Sequence, residues 1–434
     1  MDMTRQDIAE YALDALTKAG ADKAACRVSC GRKEEFNIEA NKFSLLRTLF
    51  NDELYLKALC DNKKGVTVIN KLDKDSIDRA VEDCIALAEL ATPDESEDIA
   101  EKVENKAFDQ KIGGGNLDDL FSRTKEFLEY ANNAFPKIMF EGIVSDFKAS
   151  QSTYVNSNGV VFNNDVENYT FGTMYSAKEG EKSTSFNYCY VNLDSMAHPL
   201  IDFGMQRTLL EEAERSLDTR MVDGKFVGKV IVTPACGDMI WDTIIGNFLT
   251  DGVLVDGTSR WKDSLGKIVA DSKLSMRLVP LHKSIIGGER FTADGYESRD
   301  IDLIRSGVLE SFALSLYGSR KTGHPRAGNT AFGNIEVLPG DVSLENMLKG
   351  VDRGVLLNRF SGASPGPSGD VSGVAKNSFM IENGKITDAL SETMLSFNIV
   401  DLLMNISGIS KERCEDGMSI LPWCCFDGVT ISGK

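Results

Sequence analysis

The sequence predicts an α+β protein, with N-terminal helix-plus-antiparallel-sheet units followed by a mainly β C-terminal domain. Three observations predict it. Apolar residues recur at helical spacing in a few segments of the first half, and short runs of strand-forming residues bounded by turn residues lie between them. Beyond Val222 the composition shifts to glycine, short apolar runs and turn dipeptides. The expected units are residues 1–91, a linker over 92–114, a second helix-and-sheet unit over 115–221 and a C-terminal domain over 222–434.

Taken in order, Ile8, Tyr11, Ala12, Ala15 and Leu16 mark the first helix, which Gly20 stops. Strand-like runs follow at 27–29, 36–40, 45–50 and 54–60, and the turn NKKG before Val66 closes a hairpin, giving a meander with one polar face. Helical period returns over 73–91 through Ile77, Val81, Cys84 and Leu87. The acidic, proline-bearing stretch 92–105 reads as a surface linker. The second unit repeats the style of the first. It has a helix over 117–134, strands over 138–145 and 153–156, a hairpin around Glu179 and a helix over 200–217. In the last third, Asn383-Gly384 between two apolar runs is a hairpin signal. Residues 361–373, rich in Gly, Ser and Pro, read as a loop that is mobile or lines a cleft.

A chain of 434 residues exceeds one typical core and is expected to form two or three domains. Its 66 Asp and Glu against 48 Lys and Arg give a net charge of -18, which repels a phosphate backbone and disfavours direct nucleic-acid binding. No run of 18 apolar residues occurs, and the first helix is acidic and amphipathic, so a cytoplasmic protein without a membrane span is expected. The nine scattered cysteines make an odd number and are expected to be reduced and mostly buried.

Chemistry-bearing residues are few. His198 precedes Pro199 at a helix start, His282 sits between a strand and a glycine-rich turn, and His324 lies in a Gly and Pro loop where it could face a cleft. Zinc needs three or four N or S donors at about 2.0 to 2.3 Å. Cys26 and Cys30 lie in a strand, roughly 13 Å apart, and cannot share an ion. Cys424 and Cys425, if extended, point to opposite faces. Gly362 to Gly366 matches GxSxG by letter, but Pro365 follows Ser364 and has no N–H for an oxyanion hole. By residues alone the reading stops at a multidomain α+β protein.

Several strings, in order, resemble the TldD/PmbA family of metallopeptidases, and more closely its PmbA (TldE) branch. They are FVGKVIVTPACGDMIWDTIIGNFLTDG, WKDSLGKIVADSKLSMRLVP, ERFTADGYESRDIDLIRSGVLESFALSLYGSRKTGHPRAGN, IEVLPGD, FMIENGKIT and EDGMSILPWCCFDGVTISGK. In the TldD branch the matching region carries HExxxH, and a cysteine near the C terminus joins the two histidines on zinc. Aligned on Gly246, the resemblance puts Asp242 in place of the first His, Thr243 in place of the Glu and Asn247 in place of the second His. Cys414 is the candidate for the cysteine, within about one residue. A Thr cannot serve as general base and an Asn is a weak ligand, so no catalytic residue, metal or cofactor is expected in this chain. The resemblance implies a subunit of a metalloprotease acting on small or unfolded peptides. Its partner would be a TldD-like, HExxxH-bearing subunit holding the zinc, or a second copy. The alternatives are an active hydrolase with an atypical site from His282, His324 and Cys414, or a non-proteolytic interaction protein of the gyrase-modulator kind.

Overall fold

The computed structural model describes residues 3–362, 365–366 and 368–433. The N-terminal part holds α1 (Arg5–Lys18), β1 (Lys23–Glu39), β2 (Lys42–Cys60), β3 (Lys63–Ile69), α2 (Lys74–Leu90), β4 (Lys106–Gln110), α3 (Leu117–Ala134), β5 (Ile138–Asn156), β6 (Val161–Glu179), β7 (Lys182–Ser183), β8 (Asn187–Leu193) and α4 (Gln206–Arg215). The C-terminal part holds β9 (Thr219–Arg220), β10 (Lys225–Val232), α5 (Gly237–Ile244), α6 (Asp251–Val255), β11 (Met276–Leu278), β12 (Ile301–Arg305), β13 (Val308–Leu309) and α7 (Leu316–Thr322). It continues through β14 (Ile335–Val337), α8 (Leu344–Lys349), β15 (Arg353–Leu357), β16 (Arg359–Gly362), β17 (Asp370–Lys376), β18 (Phe379–Glu382), β19 (Lys385–Leu390), β20 (Thr393–Asn398), α9 (Ile399–Met404), β21 (Ile406–Glu415) and β22 (Ile420–Ser432).

The N-terminal strands are longer than their apolar runs. The runs at 27–29 and 36–40 fuse into β1, and those at 45–50 and 54–60 into β2, because the polar residues between them pair across the ladder. Arg47 reaches across to the buried Glu35, which Lys33 on the same strand also meets, and Arg27 meets Glu53 across the ladder at 3.6 Å. Both connections are two-residue turns with each residue left-handed, Ala40-Asn41 and Asp61-Asn62, the geometry that matches strand twist. The second turn therefore sits at the leading edge of NKKG rather than within it.

The two expected N-terminal units are one sheet. β1 pairs with β5 from Ala25 opposite Asn156 to Ile38 opposite Ile143, giving the order β3-β2-β1-β5-β6-β4, with β7 and β8 also on β6. Helices α1 and α2 cover one core, and α3 and α4 a second. The helix expected over 200–217 is a 3₁₀ turn at Leu200–Asp202 followed by α4, interrupted where Gly204 takes φ 58°.

The segment expected as a linker over 92–114 is exposed or half-buried along most of its length but enters the core at 97–100. Glu97, Asp98, Ile99 and Ala100 are buried, and β4 runs parallel to β6. Its acidic residues are held by cations: Glu97 by Lys57 at 2.8 Å and by Lys64, Asp98 by Lys23 at 2.6 Å and by Arg320. The C-terminal part is one large mixed sheet from β9 to β22, with β10 central between β15 and β22. The Asn383-Gly384 turn forms as expected, with φ of 50° and 76°.

Candidate functional site

The segment 237–255 packs Ile240, Trp241, Ile244, Ile245, Phe248 and Leu249 into the C-terminal core. Helical spacing puts these on one side and leaves Asp242, Thr243, Gly246 and Asn247 on the other, with Asp242 and Gly246 exposed and Thr243 and Asn247 half-buried. In a regular helix five residues rotate about 500°, so positions 242 and 247 would point about 140° apart. Residues Ile245–Leu249 form a π-helical turn, but Asp242 lies before it in the regular α5, so only the end of the 242–247 span departs from that geometry.

Asn247 Nδ2 donates to the Pro365 carbonyl at 2.8 Å. That contact ties Pro365 to the helix, and Arg260 and Asn398 bind the Ser368 carbonyl at 2.7 and 2.9 Å. The loop expected over 361–373 is correspondingly shorter. Ser361 and Gly362 belong to β16, and Asp370 to Gly373 belong to β17. Gly362 and Gly373 face each other where a Cβ would strike the Phe360 ring, so these glycines permit close strand approach rather than looseness. Ser364 lies outside the described residues. Asp242 is open to solvent, yet enough protein surrounds it for desolvation to push its carboxyl above the usual range, as at a concave position.

Cys414 is elsewhere. It packs against the N-terminal core in a cleft of about 250 Å³ between the two parts of the chain, with Cys189, Met205, Leu209, Pro234 and Asp416. Burial pushes the Cys189 thiol up to about 12 and raises Cys414 too, so both stay protonated near neutrality. Arg413, one residue away, is held by Glu336 at 2.7 Å. Cys424 and Cys425 enter different cores.

The histidines have local partners. His282 Nδ1 accepts from the Ser284 N–H at 3.1 Å, the His324 ring lies 4.8 Å from Phe312, and His198 is exposed near Phe203. Among the described residues no three His, Cys, Asp or Glu side chains converge as a metal site. One carboxylate, one hydroxyl and one amide already engaged with a carbonyl do not fit a zinc ion.

Sequence reasoning missed a pair at the junction of the two parts. Asn358 Nδ2 donates to Glu212 Oε2 at 2.6 Å, and burial pushes the Glu212 carboxyl up to about 7 against the pull of that hydrogen bond. The partners are 146 residues apart, and no local pattern marks such a contact.

Residues 224–433 match the profile of the PmbA/TldA metallopeptidase C-terminal domain. Across nearly the whole chain the sequence is 22% identical to the metalloprotease PmbA of Escherichia coli O157:H7, covering 96% of this chain and 95% of that protein. It is 20% identical to a metalloprotease of Methanocaldococcus jannaschii, covering 90% of each. The fold matches the crystal structure of TldE from Thermococcus kodakarensis with a TM-score of 0.86 at 18% identity, covering 98% of this chain and 100% of that one. A Bacteroides thetaiotaomicron protein described as a candidate modulator of DNA gyrase matches with a TM-score of 0.85 at 22% identity, covering 99% of each chain.

Proposed function

We propose that this chain, which belongs to the PmbA/TldD metallopeptidase family, is a PmbA/TldE-like subunit that contributes substrate-binding surface without a zinc site of its own. One observation carries the reading. At the position of the second histidine, Asn247 binds the Pro365 carbonyl, beside Asp242 and Thr243 where the first histidine and the glutamate would stand. The zinc and the general base would belong to an HExxxH-bearing partner, and the assembled enzyme would cleave small or unfolded peptides. The open face along Asp242 and the cleft at Cys414 are the surfaces that an extended peptide would meet.

The test is metal content and peptide hydrolysis of the purified chain, alone and mixed with the partner. The expected result is substoichiometric zinc and no cleavage alone, with chelator-sensitive cleavage in the mixture. One zinc per protomer in the chain alone overturns the proposal.

A further inference from the structure

We propose that the cleft at Cys414 is a subsite for an aromatic side chain of an extended peptide, an inference that rests on the peptide-binding role proposed above. β8 and the start of α4 supply one wall of this cleft, and the turns after β10 and between β21 and β22 supply the other. Four of the lining residues carry sulfur, namely Cys189, Met205, Cys414 and Met418. Burial keeps both thiols protonated, so they act as small, polarisable apolar groups. Leu209 and Pro234 are buried beside them, and the exposed rings of Tyr188 and Tyr190 lie 6.2 Å apart on the same lining. Asp416 is the one carboxylate there among the described residues, and it is folded into its own turn. Its Oδ1 accepts the Met418 and Ser419 N–H groups at 2.8 and 2.6 Å, and its Oδ2 accepts the Ser419 hydroxyl at 3.1 Å.

Size and lining select the occupant. An apolar cavity of about 150 Å³ already holds benzene, and drug-sized ligands take about 300 Å³ or more. The 250 Å³ here suits one ring-bearing side chain. Thioether and thiol sulfur pack well against ring edges, and neighbouring rings add edge-to-face contacts. A lysine would have to draw Asp416 out of its turn, and an acidic side chain would meet it as a like charge. The peptide main chain has a place too, because β8 has β6 as its one paired strand among the described residues. The Asn192 N–H leaves that ladder for the Asp416 carbonyl at 2.8 Å, so this edge of β8 faces the turn that borders the cleft. Alternate residues of an antiparallel strand present N–H and C=O to the same side, which sets the main-chain groups of Tyr190 there as well. A passing peptide can pair with that edge while one of its side chains enters the cleft. Aromatic side chains are largely buried in folded proteins and become available on unfolding, so such a subsite favours unfolded peptides.

The test is methyl NMR of the full-length chain with labelled methionine, titrated with blocked Ala-Phe-Ala and with the same tripeptide carrying Ala or Lys at its centre. Met205→Leu and Met418→Leu assign the two signals. The Phe peptide is expected to shift the Met205 and Met418 methyl signals and to bind roughly tenfold or more tightly than the Ala peptide. Ala235→Phe, which fills the cleft, and Met418→Lys, which sets a charge in it, are each expected to abolish that preference. Met418 is only half-buried, so its variant keeps the test open where the filling substitution disturbs the fold, as circular dichroism would show. Equal binding of the Phe and Ala peptides, preference for the Lys peptide, or Phe preference that survives the substitutions overturns the inference. Each of these outcomes leaves the zinc and hydrolysis results that test the subunit reading as they are. One zinc per protomer with the methyl shifts intact would overturn that reading and leave the subsite.

Discussion

Asn247 on the helix and Glu212 at the junction of the two parts show how much a single side chain settles. Substituting Asp242→His, Thr243→Glu and Asn247→His together would write the letters of the motif into this helix. It would also remove the amide that holds Pro365, and Cys414 remains packed beside Cys189 and Asp416. The triple variant alone is therefore expected to show no chelator-sensitive peptide cleavage, measured with a fluorogenic peptide. Glu212 gives a pH signature. Its folded value of about 7 lies above the ordinary 4.5, so the folded state holds this proton more tightly than the unfolded chain. The stability it contributes is complete below about pH 4.5 and is lost as pH rises through about 7. By the 1.36 kcal/mol per unit rule this is about 3 kcal/mol. Denaturant titrations at pH 5 and 8 should show that loss in the wild type, with Glu212→Gln largely free of it.

At the scale of elements, the sequence was legible where a local rule decides the outcome. Helical period located α1, α2 and α3, and Asn383-Gly384 located its hairpin, because capping, spacing and turn geometry act within a few residues. Strand length was not legible. Whether a polar residue ends a strand or extends it depends on the residue across the ladder, as with Arg47 opposite Glu35. Positions 242, 243 and 247 were singled out only by resemblance to a motif. The contact between Asn247 and Pro365 spans 118 residues and needs the fold. Because Asn247 holds the Pro365 carbonyl and Arg260 and Asn398 hold the Ser368 carbonyl, limited proteolysis of the wild type should spare the chain at Pro365 and Ser368. Asn247→Ala with Arg260→Ala should open it to cleavage while α5 and the strands on either side stay intact. Rapid cutting there in the wild type would contradict the pinning.

Across the whole molecule, the segment expected to separate two units instead ties the N-terminal sheet to the C-terminal domain. Asp94 takes the Tyr317 hydroxyl at 3.1 Å and Lys321 at 2.9 Å. The Ala100 N–H donates to the Asp294 carbonyl at 3.1 Å, and Lys106 meets Glu297 at 2.7 Å. Asp98 is the centre of this strap, with a carboxylate that is almost wholly buried between Lys23 from β1 and Arg320 from α7. Burial alone would raise its carboxyl, but the Lys23 hydrogen bond, the Ile99 N–H and the Arg320 charge together hold it below the usual range. A depressed folded value means the stabilisation is present above the ordinary carboxylate range and is lost as pH falls through the lower folded value. Asp98→Asn should therefore cost about 1–3 kcal/mol at neutral pH, at the low end because Lys23 and Arg320 each reach solvent and recover hydration when released. The wild type should converge with the variant only as pH falls below the depressed folded value. Since Asp98 bridges the two parts, the loss should appear as uncoupling. Calorimetry should give one transition for the wild type and two for Asp98→Asn, and a single, merely shifted transition would place the coupling in the remaining contacts of the strap.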